Sequence, residues 1–292
     1  FSQNATTGVG GGAIISFGAA TVKRSAIVDN EAPVNGGGIN VQPGGVVTIS
    51  SSTVADNASG SLGGGISNLG TLNVQSSTIT GNTGTGGEAI ATGNSDVTLA
   101  ASILTAPTPP IGTGNPPNTG VTHGGYNLDD DGTCISPDSP ATGSHNGTTA
   151  YGSSTYGEVL DAYLADGPAD NGGPTQTLAL LNSPIPSTTV ANPAFNVVPP
   201  SFELPVPVDG ASAACSLSDQ RGVMPAAGAN CGIGAYLLQA TKTSISAARV
   251  KQNAQVTFTA TVTPAPTGGT VSFDDGAGNP ATARCGSQGF SP

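Results

Sequence analysis

The chain has no tryptophan and one methionine, and aromatic residues make up only 4% of it. Charge is scarce too, at 9% of residues against about 25% in ordinary soluble domains. Positive charge is scarcest: 7 Lys plus Arg stand against 18 Asp plus Glu, and only Lys23, Arg24 and Arg221 are basic in the first 240 residues. Such a chain has no basic surface with which to neutralise phosphates, which argues against nucleic-acid binding. An acidic polysaccharide would also be repelled unless a divalent cation bridged the charges. No run of 18 apolar residues exists, so membrane insertion by a helix is not expected. The four cysteines, Cys134, Cys215, Cys231 and Cys285, form no CxxC pair, which removes support for zinc or dithiol chemistry. Good helix formers give way to Gly, Pro, Ser, Thr and Asn, all poor in helix interiors.

What is abundant is glycine, 44 of 292 residues, with 23 prolines. Glycine falls far short of one residue in three, which excludes collagen. A hydrophobic content of 36% argues against bulk disorder. The expected class is all-β and turn-rich, and the low lysine content with abundant Thr, Ser and Gly suits a secreted protein.

Internal repetition is the main signal. Gly-rich runs end at Ile14, Ile39, Ile66 and Ile90, spaced 25, 27 and 24 residues apart. Ser25, Ser52, Ser77 and Ser102 follow in step at 27, 25 and 25, and Asn30, Asn57 and Asn82 each lie five residues after their serine. Each copy holds short β-branched runs, such as Val46-Val-Thr-Ile49 and Thr71-Leu-Asn-Val74, broken by Gly and Asn suited to corners. A copy of about 25 residues cannot bury an apolar face alone, whereas stacked copies can. The expected fold is a right-handed parallel β-helix over residues 1–240. Asn30, Asn57 and Asn82 are expected to form an inward ladder that satisfies corner amides.

Phe1-Ser-Gln-Asn4 followed by Gly11-Gly-Ala-Ile14 resembles the paired FxxN and GGAI repeats of polymorphic outer-membrane proteins and related adhesin-like β-helices. Starting inside such a motif suggests earlier rungs or an N-terminal cap. Further on come Gly124-Gly-Tyr-Asn-Leu-Asp-Asp-Asp-Gly132, Asp170-Asn-Gly-Gly-Pro174, Asp219-Gln-Arg-Gly222 and Cys231-Gly-Ile-Gly234. In this order they resemble bacterial surface β-helix proteins of the choice-of-anchor Q type, departing from them at Gly232 and at Ser183-Pro-Ile-Pro186. The resemblance implies a scaffold that is extracellular or displayed on a bacterial cell surface, without established chemistry. Residues 104–120, rich in Pro, Gly, Asn and Thr, read as a loop bulging from the solenoid.

Residues 241–292 change character. Gln255–Thr263 and Thr267–Gly276 alternate apolar and polar residues and resemble the opening strands of a bacterial Ig-like repeat. A sandwich needs about 100 residues, so 52 make an incomplete Ig-like segment with an edge open to another chain.

Several constellations could carry chemistry. Asn127, Asp129 and Asp131, with Gly132 and then Asp138 at the twelfth position, have the spacing of a calcium loop; the same residues also read as a solvated acidic turn. The cofactor expectation is accordingly none, or Ca²⁺. Asp29 and Asp56 precede successive ladder asparagines and would face outward one rung apart, a separation found in retaining glycosidases; they are the only catalytic candidates, weak ones that also read as solvated. His123 and His145 read as loop residues. Tyr151, Tyr156 and Tyr163 offer either a sugar-stacking face or packing. Cys215 and Cys231 are close enough for a local disulfide, which implies an oxidising compartment, and Asp219 with Arg221 reads as an ion pair fixing the turn between them.

Three functions fit these residues. The first is a non-catalytic adhesive or stalk module taking a glycan, host or neighbour-cell ligand. The second is a polysaccharide lyase or glycoside hydrolase. The third is a filament or surface-layer subunit that associates through the solenoid ends or the Ig-like edge.

Overall fold

The computed structural model describes residues 1–8, 10–92, 95–105, 121–130, 142–145, 147–181, 191–238, 242–247, 258–263, 270–273 and 281–284. Two compact units emerge, Phe1–Leu238 and Gln239–Pro292.

The first unit is built on a parallel β-solenoid of about four turns. Each turn lays one short strand on each of three faces. The first face stacks Ile14–Ser16, Ile39–Val41, Ile66–Asn68 and Ile90–Thr92. The second stacks Ala19–Lys23, Val46–Ser50, Thr71–Gln75, Asp96–Ala100 and Val121–Gly125. The third stacks Ala26–Val28, Thr53–Ala55, Thr78–Thr80, Ile103–Leu104 and Leu128–Asp129. Register is kept from rung to rung, so Ile14, Ile39, Ile66 and Ile90 form one column. Ile27, Val54, Ile79 and Leu104 form another, which Asp129 continues.

Like stacks on like because strands on successive rungs pair at about 4.8 Å and alternate side chains between faces. The apolar members form one core from Val22 to Leu104, with Ile27, Ile39, Ile49, Ile66, Leu72 and Ile79 fully buried.

The corners explain the rest of the repeat. Left-handed backbone recurs in columns: Arg24, Ser51, Ser76, Ala101 and Tyr126 at one corner, Gln3, Asp29, Asp56 and Gly81 at a second, Gly36, Gly63 and Gly87 at a third. At the third corner glycine is obligatory. A Cβ on Gly37 or Gly64 would strike the backbone of the neighbouring rung.

Side-chain ladders satisfy the corner amides. Asn4 Nδ2 donates to Asn30 Oδ1, Asn30 Nδ2 to Asn57 Oδ1 and Asn57 Nδ2 to Asn82 Oδ1, at 2.8, 2.8 and 2.9 Å. The repeated serines do the same for the backbone. The amides of Ser25, Ser52 and Ser77 donate to Ser52, Ser77 and Ser102 Oγ, and each of these four hydroxyls donates to the carbonyl two residues back.

From residue 142 to 238 periodicity stops. A helix at Tyr156–Tyr163 is set by a capping box between Thr155 and Glu158. A hairpin pairs Glu203–Val208 with Ala211–Ala213 through Asp209 and Gly210, both at positive φ. This stretch builds a second core against the outside of the third face, where Ile103 and Leu128 meet Leu160, Leu180, Val198 and Ile233.

Its last part then runs back along the rungs. Gly234 N donates to Ala101 O, Ala235 N to Thr78 Oγ1, Thr53 Oγ1 to Gln220 Oε1, and Ser51 Oγ to Ser218 O. Lys23 pairs with Asp209. We call residues 199–238 the strap.

In the second unit Lys242–Ala247 pairs antiparallel with Phe258–Thr263, and Thr270–Phe273 with Ala281–Arg284. The expected loop at 104–120 is corrected at its start: Leu104 ends a third-face strand because its column position is apolar and buried, and Thr105 N still donates to Ile79 O of the neighbouring rung. Residues 106–120 lie outside the described residues.

Candidate functional site

The disulfide Cys215–Cys231 closes the strap. Between these cysteines Asp219, 2% exposed, organises the turn. Its Oδ1 accepts from the amides of Arg221 and Val223, and its Oδ2 from Arg221 Nε and Nη2 and from Leu237 N. The guanidinium also lies 3.6 Å from the Tyr236 ring centroid. Every acceptor site on the carboxylate serves the strap itself, so the pair braces and is not open to a ligand. Cys134 and Cys285 lie outside the described residues.

Asp29 and Asp56 occupy equivalent corner positions on adjacent rungs and both are exposed. Their row, which begins at Gln3, ends at Gly81, whose missing side chain leaves room for the Asp56 carboxylate. Partial burial, and then the like charge of Asp29, hold the Asp56 carboxyl above the usual carboxylate range. A carboxyl raised by a neighbouring carboxylate is chemically able to donate a proton.

Of the calcium-loop residues, Asn127 is fully buried and takes the serine position in the ladder. Its Oδ1 accepts from Ser102 N, its Nδ2 donates to Leu99 O, and its amide donates to Ser144 Oγ. Asp129 is buried at 1% exposure in register with Leu104. Asp131 and Asp138 lie outside the described residues. Among the described residues no three His, Cys, Asp or Glu side chains gather to hold a metal ion.

Of the two histidines expected in loops, His123 lies on a second-face strand, whereas His145 sits outside the strands on an isolated bridge to Leu128. His123 follows Leu99 in the second-face register, half-buried, with its Nδ1 unpartnered and its basicity lowered by burial. His145 stacks on Tyr156 at 4.0 Å, and Tyr156 on Tyr151 at 4.3 Å. Both faces of Tyr156 are thereby covered, and Tyr163 is buried. Tyr151 and Tyr156 thus stack with His145, and Tyr163 packs in the interior, rather than forming an open platform.

One cleft of about 300 Å³ opens where the strap crosses the first rungs. Lys23, Arg24, Ser50 and Ser51 line it from the solenoid, and the Asp209 hairpin, Leu217 and Ser218 from the strap. Sequence reading missed it because its walls lie about 190 residues apart, as the Lys23–Asp209 ion pair shows. The signal available was Asp209-Gly210 between Leu204-Pro-Val-Pro-Val208 and Ala211, a two-residue hairpin turn. Comparison with family models, curated proteins and solved structures finds no match.

Proposed function

We propose that the chain is a non-catalytic extracellular module of a bacterial surface protein, a rigid adhesive scaffold or stalk. The observation supporting this most is the double bracing of the solenoid. In-register ladders join the rungs along the axis, and a disulfide-closed strap ties one side across at least three of them. Such an arrangement resists bending and twisting between rungs, which is what a load-bearing or ligand-presenting rod needs. The disulfide fits an oxidising compartment. The choice-of-anchor Q resemblance and the Ig-like reading of the last segment belong to the same proposal, as rod and spacer.

A second reading, a glycoside hydrolase, draws on the Asp29–Asp56 pair and the raised carboxyl of Asp56. A third, self-association, draws on the first rung, where Phe1, Ile15 and Phe17 are exposed at 64, 42 and 70%.

A panel of neutral and acidic polysaccharides, with and without Ca²⁺, separates the first two. We expect retention on an immobilised glycan with no release of reducing ends or unsaturated products. Turnover abolished by Asp56→Asn would replace this reading with the enzymatic one. Sedimentation that shifts with concentration would favour assembly. A Ca²⁺ site would raise the melting temperature in a chelator-sensitive way.

A further inference from the structure

The basic residues of the first unit are too few to be placed without consequence. Of the three, Arg221 is consumed by Asp219 inside the strap. The other two, Lys23 and Arg24, stand together at the cleft between strap and solenoid. Lys23 is held by Asp209. Arg24 makes no side-chain hydrogen bond or ion pair among the described residues and is exposed.

The cleft therefore carries a net positive charge of one on a chain of net charge −11. Its lining brings the serines Ser50, Ser51, Ser216 and Ser218, with Ser51 Oγ already donating to Ser218 O, and apolar side chains that include Leu217 and Met224. Gln75, in register with Ser50 on the next rung, is fully buried, and neither end of its carboxamide finds a hydrogen-bond partner. Buried amides are nearly always satisfied; Gln75 lies one rung along from Ser50 and does not itself line the cleft. The left-handed backbone at Arg24 is shared by the whole corner column and signals architecture rather than a site.

We infer that this cleft binds an acidic sugar residue, with Arg24 on the carboxylate or sulfate group. A guanidinium offers paired donors matched to such a group. Hydroxyls suit the ring oxygens, and Leu217 suits the apolar ring face. A volume of about 300 Å³ is at the lower end for ligand sites and fits about one monosaccharide. The rest of an acidic chain would meet a negative surface, so recognition is confined to one residue. The inference rests on the adhesive reading and names its ligand class.

The test uses the full chain in chelator, so that no divalent cation bridges carboxylates. Calorimetric titration compares a uronic-acid trisaccharide, its methyl ester and a sulfated trisaccharide. Binding of the uronate, weakened on the order of tenfold by esterification or by Arg24→Gln, is the expected result. The sulfated sugar tells a general anion site from a carboxylate-selective one; binding of either acidic sugar with that Arg24 dependence supports the inference. Asp209→Asn removes the competing carboxylate and should tighten binding severalfold. Equal binding of acid and ester, or indifference to Arg24→Gln, overturns the cleft while leaving adhesion through another face. If no polysaccharide of the wider panel is retained either, both readings fall.

Discussion

The rungs and the strap solve the same problem in opposite ways. Up to Asp129 the chain satisfies its buried corner amides by repetition. Asn30 bonds to Asn57, Asn57 to Asn82, and serine to serine at the preceding corner. Beyond residue 142 the contacts among the described residues do not repeat: a disulfide, the Asp219–Arg221 pair, a glutamine reaching from Thr53 to Gln176. A repeated device shares a defect among neighbours, whereas a single one has no substitute. The strap should fail at points, and the solenoid should weaken by increments.

The sharpest way to break that comparison is Asp219→Ala. It strands Arg221, whose side chain is 7% exposed, and leaves the amides of Val223 and Leu237 without their acceptor. Breaking one partner of a buried pair costs about 3–5 kcal/mol. We expect hydrogen-exchange protection to vanish over 199–238 while the strands from Ile39 to Leu99 keep theirs. Loss of protection throughout the unit would mean that strap and rungs fold as one.

Replacing Cys215 and Cys231 by serine comes next. A loop of about this size is worth about 3 kcal/mol of unfolded-state entropy. The chemical-denaturation midpoint of the first unit should fall, and reduction of the native protein should match it. Asn57→Ala is smaller per contact but lies within the ladder. It leaves the buried Asn30 amide without its acceptor, at roughly 1–3 kcal/mol, while Asn82 Oδ1 keeps the backbone amide of residue 57. Asn4→Ala, at the exposed end of the same ladder, should cost well under half as much. Equal costs would show that the ladder does not act rung by rung.

The same contrast decides what could be read in advance. Columns made of Ile14, Ile39, Ile66 and Ile90, or of the three asparagines, repeat at a near-constant spacing, and stacking is the one arrangement that buries them all. The strap offered no period. Its contacts join Lys23 to Asp209 and Thr53 to Gln220 across more than 160 residues, and nothing local encodes that distance. Even so, two local signals were legible: Thr155-x-x-Glu158, which caps the helix, and Asp209-Gly210, which turns the hairpin. Composition hid the first, since a Gly- and Pro-rich chain reads as hostile to helices. Asn127 carries two local signals at once. Its spacing to Asp129 suits a calcium loop, but its distance of 25 residues from Ser102 marks it as the next member of the serine ladder. A carboxamide there accepts from the rung below as a hydroxyl does.

The smallest effect separates the solenoid's end from its middle by pH. His123 sits where the second-face core runs out, and burial lowers its pKa in the fold. The unfolded chain then binds a proton more readily. Stability should fall as pH drops through the ordinary histidine value of about 6.5, and level off below the folded pKa. Asp56 acts in reverse. Its pKa is raised, first by burial and then by Asp29, so the fold prefers the protonated acid. The stability this brings is fully present below about 3.8 and is lost as pH rises through the raised value. Acidification should therefore loosen the last rung first and relieve the Asp29–Asp56 corner later. His123→Gln should flatten the stability profile between about pH 7 and 5, and Asp56→Asn should remove part of the recovery below it. Asp161, raised by burial in the helix, contributes with the same sign. Hydrogen exchange at Val121–Gly125 and at Ile27–Asp29, followed across that range, would place each loss on its own rung. A uniform response along the solenoid would show that the rungs transmit charge effects as one body.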